Sequence, residues 1–122
     1  MSNFNIRITN IKWENFKAKT KGQDPTIIEF DVYKKGIFGK LKKVPGEYCL
    51  MFDFEKENNI NINSICLHEM SSGILPLNPH LTYGVMQSAA ESMENAGEDE
   101  KADIIRKTSK LFFKSKILQE NS

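Results

Sequence analysis

The chain has 122 residues, 39% apolar, 27% charged and 10% aromatic, with a net charge of +1. That size and balance suit one globular domain that buries a core without staples or a structural metal, and eight Phe, three Tyr and one Trp argue against intrinsic disorder. No run approaches the roughly 20 apolar residues that span a bilayer, no apolar leader stands at the start, and Cys49 and Cys66 make no disulfide framework. A cytoplasmic protein with free buried thiols and no membrane partner is therefore expected.

The near-zero net charge conceals a segregation. Residues 1–43 hold ten Lys and Arg against four Asp and Glu, net +6. Residues 44–103 hold two against eleven, net −9, and residues 104–122 hold five against one, net +4. Poles of opposite sign favour steered association with a charged partner.

The first half reads at period two. Phe4, Ile6 and Ile8 alternate with Asn5, Arg7 and Thr9, and Ile11 and Trp13 resume on the opposite parity. A bulge or bend around Asn10 accounts for the slip, since one extra residue turns the side chains over. Gly22, Asp24 and Pro25 supply a loop. Ile28, Phe30 and Val32 then alternate with Glu29 and Asp31, the pattern of a half-buried antiparallel strand. After the turn residues Pro45 and Gly46, Tyr48, Leu50, Phe52 and Phe54 face one way and Cys49 and Met51 the other, with Asp53 and Glu55 beyond. A strand apolar on both faces is central in a covered sheet, or its second face meets another chain. Intramolecular cover is the simpler expectation, and self-association through Cys49 and Met51 the alternative. Ile60 to Asn63 and Ile65 to His68 form one interrupted strand or two short ones.

After Gly73 the period lengthens. Asn78-Pro79 places a cap before a proline at the first helical position. Leu81, Val85, Ala89 and Met93 follow at i, i+4 spacing, Gly84 and Ser88 offer close approach, and Asn95-Ala96-Gly97 ends the helix. Glu98, Asp99 and Glu100 suit the start of a second helix and Lys110, Lys114 and Lys116 its end. Ile104, Ile105, Leu111, Phe112 and Leu118 are its expected apolar stripe. The expectation is a single α+β domain over 1–122, an antiparallel sheet of four or five strands with two C-terminal helices on one face. It is strand-rich over 1–73, helical over 78–118 and frayed over 119–122.

The chemistry is sparse. Cys49, Cys66, His68 and His80 are the metal-ligand types present, and only Cys66 and His68 are close in sequence, so no metal site is expected. A nucleophile, base and orienter could be drawn from Cys66, His80 and Asp53, but no motif supports the triple, and Ser71-Ser72-Gly73 sits in no nucleophile elbow. No phosphate-cradling glycine loop is present, since Gly36-Ile37-Phe38-Gly39 lacks the pattern. The pairs Glu29 with Asp31 and Asp53 with Glu55 read as solvated strand faces. We expect no enzyme, no cofactor and no metal.

The strongest local motif spans residues 34 to 43, where Lys34, Lys35, Lys40, Lys42 and Lys43 flank Ile37, Phe38 and Leu41. Lysines meeting phosphates while Phe38 stacks on a base is the usual arrangement for single strands. An apolar tip docked in a protein groove with a lysine rim is equally coherent. The plainest alternative is a solvated hairpin with Phe38 tucked into the core. At the opposite pole stand Glu91, Glu94, Glu98, Asp99, Glu100 and Asp103, explained by capping and solvation or by contact with a basic protein surface.

The order of elements, with Ile65-Cys66-Leu67-His68-Glu69-Met70-Ser71-Ser72-Gly73-Ile74 closing the strands, resembles the SecB-type export chaperones, although the motif that opens that family's first helix is absent around Pro79 to Met86. The resemblance implies a chaperone-type binding module. The size, the Asn-, Lys- and Ile-rich composition and the missing chemistry also look like small immunity proteins and phage-encoded inhibitors. The leading expectation is thus a protein-binding inhibitor or immunity-type protein, with Lys34, Lys35, Phe38, Lys40, Lys42 and Lys43 as one contact patch and Glu94, Asp99 and Glu100 as another. Nucleic-acid binding through the lysine loop is the alternative, and homo-oligomer formation is compatible with either.

Overall fold

A computed structural model describes residues 4–14 and 24–120. Its strands are β1 (Phe4–Lys12), β2 (Thr26–Lys35), β3 (Leu41–Lys43), β4 (Tyr48–Phe52), β5 (Phe54–Lys56), β6 (Asn59–Ile60), β7 (Cys66–Glu69) and β8 (Gly73–Leu75). A 3-10 turn at Ile62–Ser64 precedes β7, and the helices α1 (Pro79–Asn95) and α2 (Asp99–Glu120) close the chain. The main sheet is antiparallel in the order β1-β2-β4-β7-β8, with β3 beside the far end of β2, while β5 and β6 form a separate hairpin. The α+β expectation holds. The sheet has six strands because residues 41–43 make a short strand of their own. Gly22 of the expected loop lies outside the described residues; of the end expected to fray over 119–122, Gln119 and Glu120 continue α2 and the last two residues lie outside the description.

Two irregularities keep the faces in register. Pairing shifts between Ile8 and Asn10, the bulge expected from the parity slip, so Ile6, Ile8 and Ile11 all oppose core residues of β2. Between β3 and β4 the chain inserts two residues against β2, since Tyr33 opposes Lys43 but Phe30 opposes Tyr48. An even insertion preserves side-chain parity. Pro45 and Gly46 make that bend, with Gly46 at φ +125° and the Tyr48 ring lying where its Cβ would be, 3.0 Å away. Tyr48 donates its hydroxyl proton to the Pro45 carbonyl at 2.8 Å and stacks on Phe30.

One sheet face carries the core. Ile28, Phe30, Val32, Leu50, Phe52 and Leu67 are buried against Val85, Met86, Ala89, Ala90 and Met93 of α1 and Ala102, Ile105 and Phe112 of α2. Their rows follow from the alternation, as Leu50 lies between Ile28 and Leu67. Trp13 closes one end edge-on to Phe52 and Phe54. Asn78 caps α1, accepting from the His80 and Leu81 N–H groups, with Pro79 in the first turn. Gly97 at φ +83° turns the chain, its N–H donating to Glu94 and that of Glu98 to Met93.

The stripe expected on α2 is corrected. Leu111 is 51% exposed and Leu118 61% exposed, while Thr108 and Ser109 are buried. The buried line is Ala102, Ile105, Ser109 and Phe112, a narrower set that lets α2 lie close against α1. Ser109 accepts from the Gln87 amide of α1 at 2.7 Å and donates to the Arg106 carbonyl, so its hydroxyl is satisfied inside that contact.

Candidate functional site

The lysine segment is a hairpin arm. Tyr33, Lys34 and Lys35 of β2 pair with Lys43, Lys42 and Leu41 of β3. The Gly36 N–H donates to the Lys40 carbonyl at 2.8 Å, and the Gly39 N–H donates back to Gly36 at 3.0 Å with Gly39 at φ +77°. That is a three-residue loop closed by a left-handed glycine, which places Ile37 and Phe38 at the two outer corners of the turn. Ile37 is 98% exposed and Phe38 93% exposed, so Phe38 is not tucked into the core. The physical reason is position: the turn lies beyond the last residues of β2 that the helices cover. Lys35, Leu41 and Lys43 share the parity of the uncovered sheet face and Lys34 and Lys42 that of the other, so lysines flank the tip on both sides. Lys43 lies 3.7 Å from Asp31, a pair exposed enough to contribute little.

The acidic patch sits at the opposite end. β1 ends beside the start of β2, with Lys12 opposite Ile27, whereas Phe4 opposes Lys34. Asn10, Ile11 and Trp13 line a cleft with Met93, Ala96, Glu98 and Lys101, and Lys101 sits 5.7 Å over the Trp13 ring. Glu55 of β5 faces Glu100 and Asp103 across a second cleft. The turn between the helices and the β5–β6 hairpin therefore gather acids at the end away from the lysine arm. α2 then carries Lys110, Lys114 and Lys116 back towards the start of α1, where Phe113 meets His80 and Tyr83. The acids of the helix turn and of the β5–β6 hairpin thus stand apart from the arm, with Lys12 and Lys101 among them. Within the patch, Glu94 is engaged by Arg106 and Glu98 by Lys101 at 3.4 Å, while Asp99 and Glu100 occupy the first turn of α2. The lysine and acidic patches do not form one contact surface.

Among the described residues no element packs on the second face of β4, since both helices lie on the other side. Ile27, Met51 and Cys66 form one register row on that open face, and Glu29, Cys49, His68 and Ile74 the next. Burial pushes both thiols up, with Cys66 and Glu29 adding to Cys49 and Asp53 adding to Cys66. Such thiols are poor nucleophiles at neutral pH. Cys66 and His68 do share a face, but among the described residues no three metal-ligating side chains converge. His80 lies with Phe113 in the helical layer, so the sheet separates it from Cys66.

One residue escaped the sequence reading. Glu69, 8% exposed, sits where Tyr48 faces it on the covered side. It accepts from the Glu47 N–H at 3.3 Å, the Ser71 N–H at 3.0 Å and the Ser72 hydroxyl at 3.0 Å, and also from the Ser71 hydroxyl. The Ser71 hydroxyl and N–H hold its carboxyl down to about 2. Ser71 and Ser72 are thereby structural, tying the β7–β8 turn to the bend before β4. Glu followed by Ser-Ser-Gly was the available signal, a carboxylate ahead of turn donors. No described helix is long and apolar enough to cross a membrane. No known protein family, characterised protein or solved structure matches this chain.

Proposed function

We propose that this chain is a non-enzymatic protein-binding protein of the inhibitor or immunity type, docking through the apolar tip of the β2–β3 arm and occluding its partner's surface. The carrying observation is that Ile37 and Phe38 stand almost fully exposed on a hydrogen-bonded arm. They contribute nothing to the core, and apolar side chains presented at the end of a shaped arm mark an interaction site. Flanking lysines select a partner groove with an apolar floor and an acidic rim, and they accelerate encounter. The test compares protein captured by the wild type and by Phe38→Ser from nuclease-treated lysate of source cells. A specific partner bound at least roughly tenfold more weakly by Phe38→Ser is expected. Equal capture by both removes the arm from the interface.

Nucleic-acid binding is the second reading, favoured by one observation. Glu98, Glu100 and Asp103, from the most acidic stretch of the chain, lie at the far end of the molecule from the arm. It requires oligonucleotide affinity that falls steeply with salt, as counterion release demands, and that Phe38→Ser weakens.

A further inference from the structure

A cleft of about 520 Å³ opens between the β5–β6 hairpin and α2, and no described element fills it. Its floor is apolar, with Ile60 and Ile62 on one side and Ile104 and Leu111 on the other. Leu111 is 51% exposed and turns into this opening rather than the core. The rim is acidic. Glu55 comes from the hairpin and Glu100 and Asp103 from the first turns of α2, while Lys107, one turn further on, is the only cation among the described lining residues. No ion pair among the described residues engages Glu55, Glu100 or Asp103.

An apolar floor inside an acidic rim is the complement of the arm, whose exposed Ile37 and Phe38 are flanked by five lysines. We propose that the cleft receives the arm of a second copy of this chain, apolar tip to floor and lysines to rim. The inference rests on the reading of the arm as a docking element and names one occupant for the cleft. A volume of about 520 Å³ falls within the roughly 300–1,000 Å³ of cavities that seat a compact group.

The arm cannot reach the cleft of its own chain. β4 ends at Phe52 opposite Thr26, and Glu55 follows it there, whereas the arm projects from Lys35 at the other end of β2. The ten residues of β2 set those ends on the order of 30 Å apart. Docking is therefore between copies, and it is heterologous: one copy gives its arm and the next its cleft. Copies related in that way add head to tail, into a ring or an open row. The contact is small. Phe38 covers roughly 150–250 Å², and with Ile37 and the lysines the total stays below the roughly 1,200 Å² of standard interfaces. Association is accordingly weak and reversible, so self-docking withholds the arm at high concentration and yields it to a tighter partner.

Sedimentation equilibrium of the full chain at several hundred micromolar tests this, with two variants that each blank one side. Phe38→Ser keeps the cleft and Leu111→Lys keeps the arm, and both positions are exposed, so unchanged circular dichroism is expected. The wild type is expected to rise above the 14.0 kDa chain mass with concentration, and to fall back as salt screens the lysines from the carboxylates. Each variant alone is expected close to the monomer mass, its self-affinity lowered at least roughly tenfold. Mixed in equal amounts, the two are expected to form a one-to-one pair and go no further, because only one arm and one cleft remain intact. A wild type that stays monomeric, a variant that associates like the wild type, or a mixture that does not pair overturns the proposal. A monomeric wild type that captures a lysate protein only while Leu111 is intact assigns the cleft to another occupant and also overturns it. Partner capture through the arm is read separately. A monomeric wild type whose captured partner is lost with Phe38→Ser overturns self-docking alone, and Phe38-dependent self-association with equal partner capture overturns the proposed function alone.

Discussion

Leu50→Ala and Met51→Ala, measured side by side, probe the arrangement of the two sheet faces most directly. The residues are adjacent on β4, but Leu50 is fully buried between Ile28 and Leu67 beneath the helices, and Met51 lies on the open face between Ile27 and Cys66. Truncating Leu50 removes three carbons from a packed interior, about 2.4 kcal/mol at roughly 0.8 kcal/mol per carbon. A residual cavity raises the loss into the range of about 3–5 kcal/mol. Met51 is only partly buried, with no described element packed above it, so truncating it is expected to cost about 1 kcal/mol. For a chain of this length, each kcal/mol moves the midpoint by roughly 3–5 °C. Leu50→Ala should therefore melt roughly 10–20 °C below the wild type and Met51→Ala within about 5 °C of it. Urea unfolding at low micromolar concentration keeps any self-association out of the comparison. Equal losses at the two positions would falsify the one-sided core and place an unseen cover over β4.

Three further outcomes follow from particular contacts. The folded Glu69 carboxyl titrates near 2 against an ordinary value of 4.5, so its ionised form stabilises the fold. That contribution is complete above about pH 4.5 and lost as pH falls towards 2; the stability gap between wild type and Glu69→Gln should close over that window in denaturation series, and a pH-independent gap refutes the assignment. Gly46→Ala places a Cβ at φ +125° and 3.0 Å from the Tyr48 ring, a cost of about 1–2 kcal/mol or more that thermal melting reads directly. The Thr82 hydroxyl is buried without a hydrogen-bond partner, so Thr82→Val should be neutral or stabilising by up to about 1 kcal/mol, and a clear destabilisation would reveal a partner for it.

The sequence by itself determined the elements whose causes are local. Period-two alternation marked β2 and β4, the parity slip at Asn10 located the bulge, and Asn78-Pro79 and Gly97 set the ends of α1, because capping and side-chain alternation act over a few residues. The lysine arm was legible as a hairpin, since glycines punctuate it. Whether Phe38 faced the core was not, because that depends on how far β2 runs past the helices. The stripe on α2 was legible only in part for a related reason: Ile105 and Phe112 are buried as expected, but Leu111 and Leu118, which also fit the helical period, are exposed while Ala102 and Ser109 are buried. Glu69 drew no notice because its donors come partly from Glu47, twenty-two residues earlier. Only the tertiary structure decided which face of β4 the helices cover, since Leu50 and Met51 are both apolar and alternation cannot rank them. It also set the acids of the helix turn apart from the lysine arm. Antiparallel pairing folds the chain back on itself, and the strands then set which charges share an end, whatever their distance along the chain.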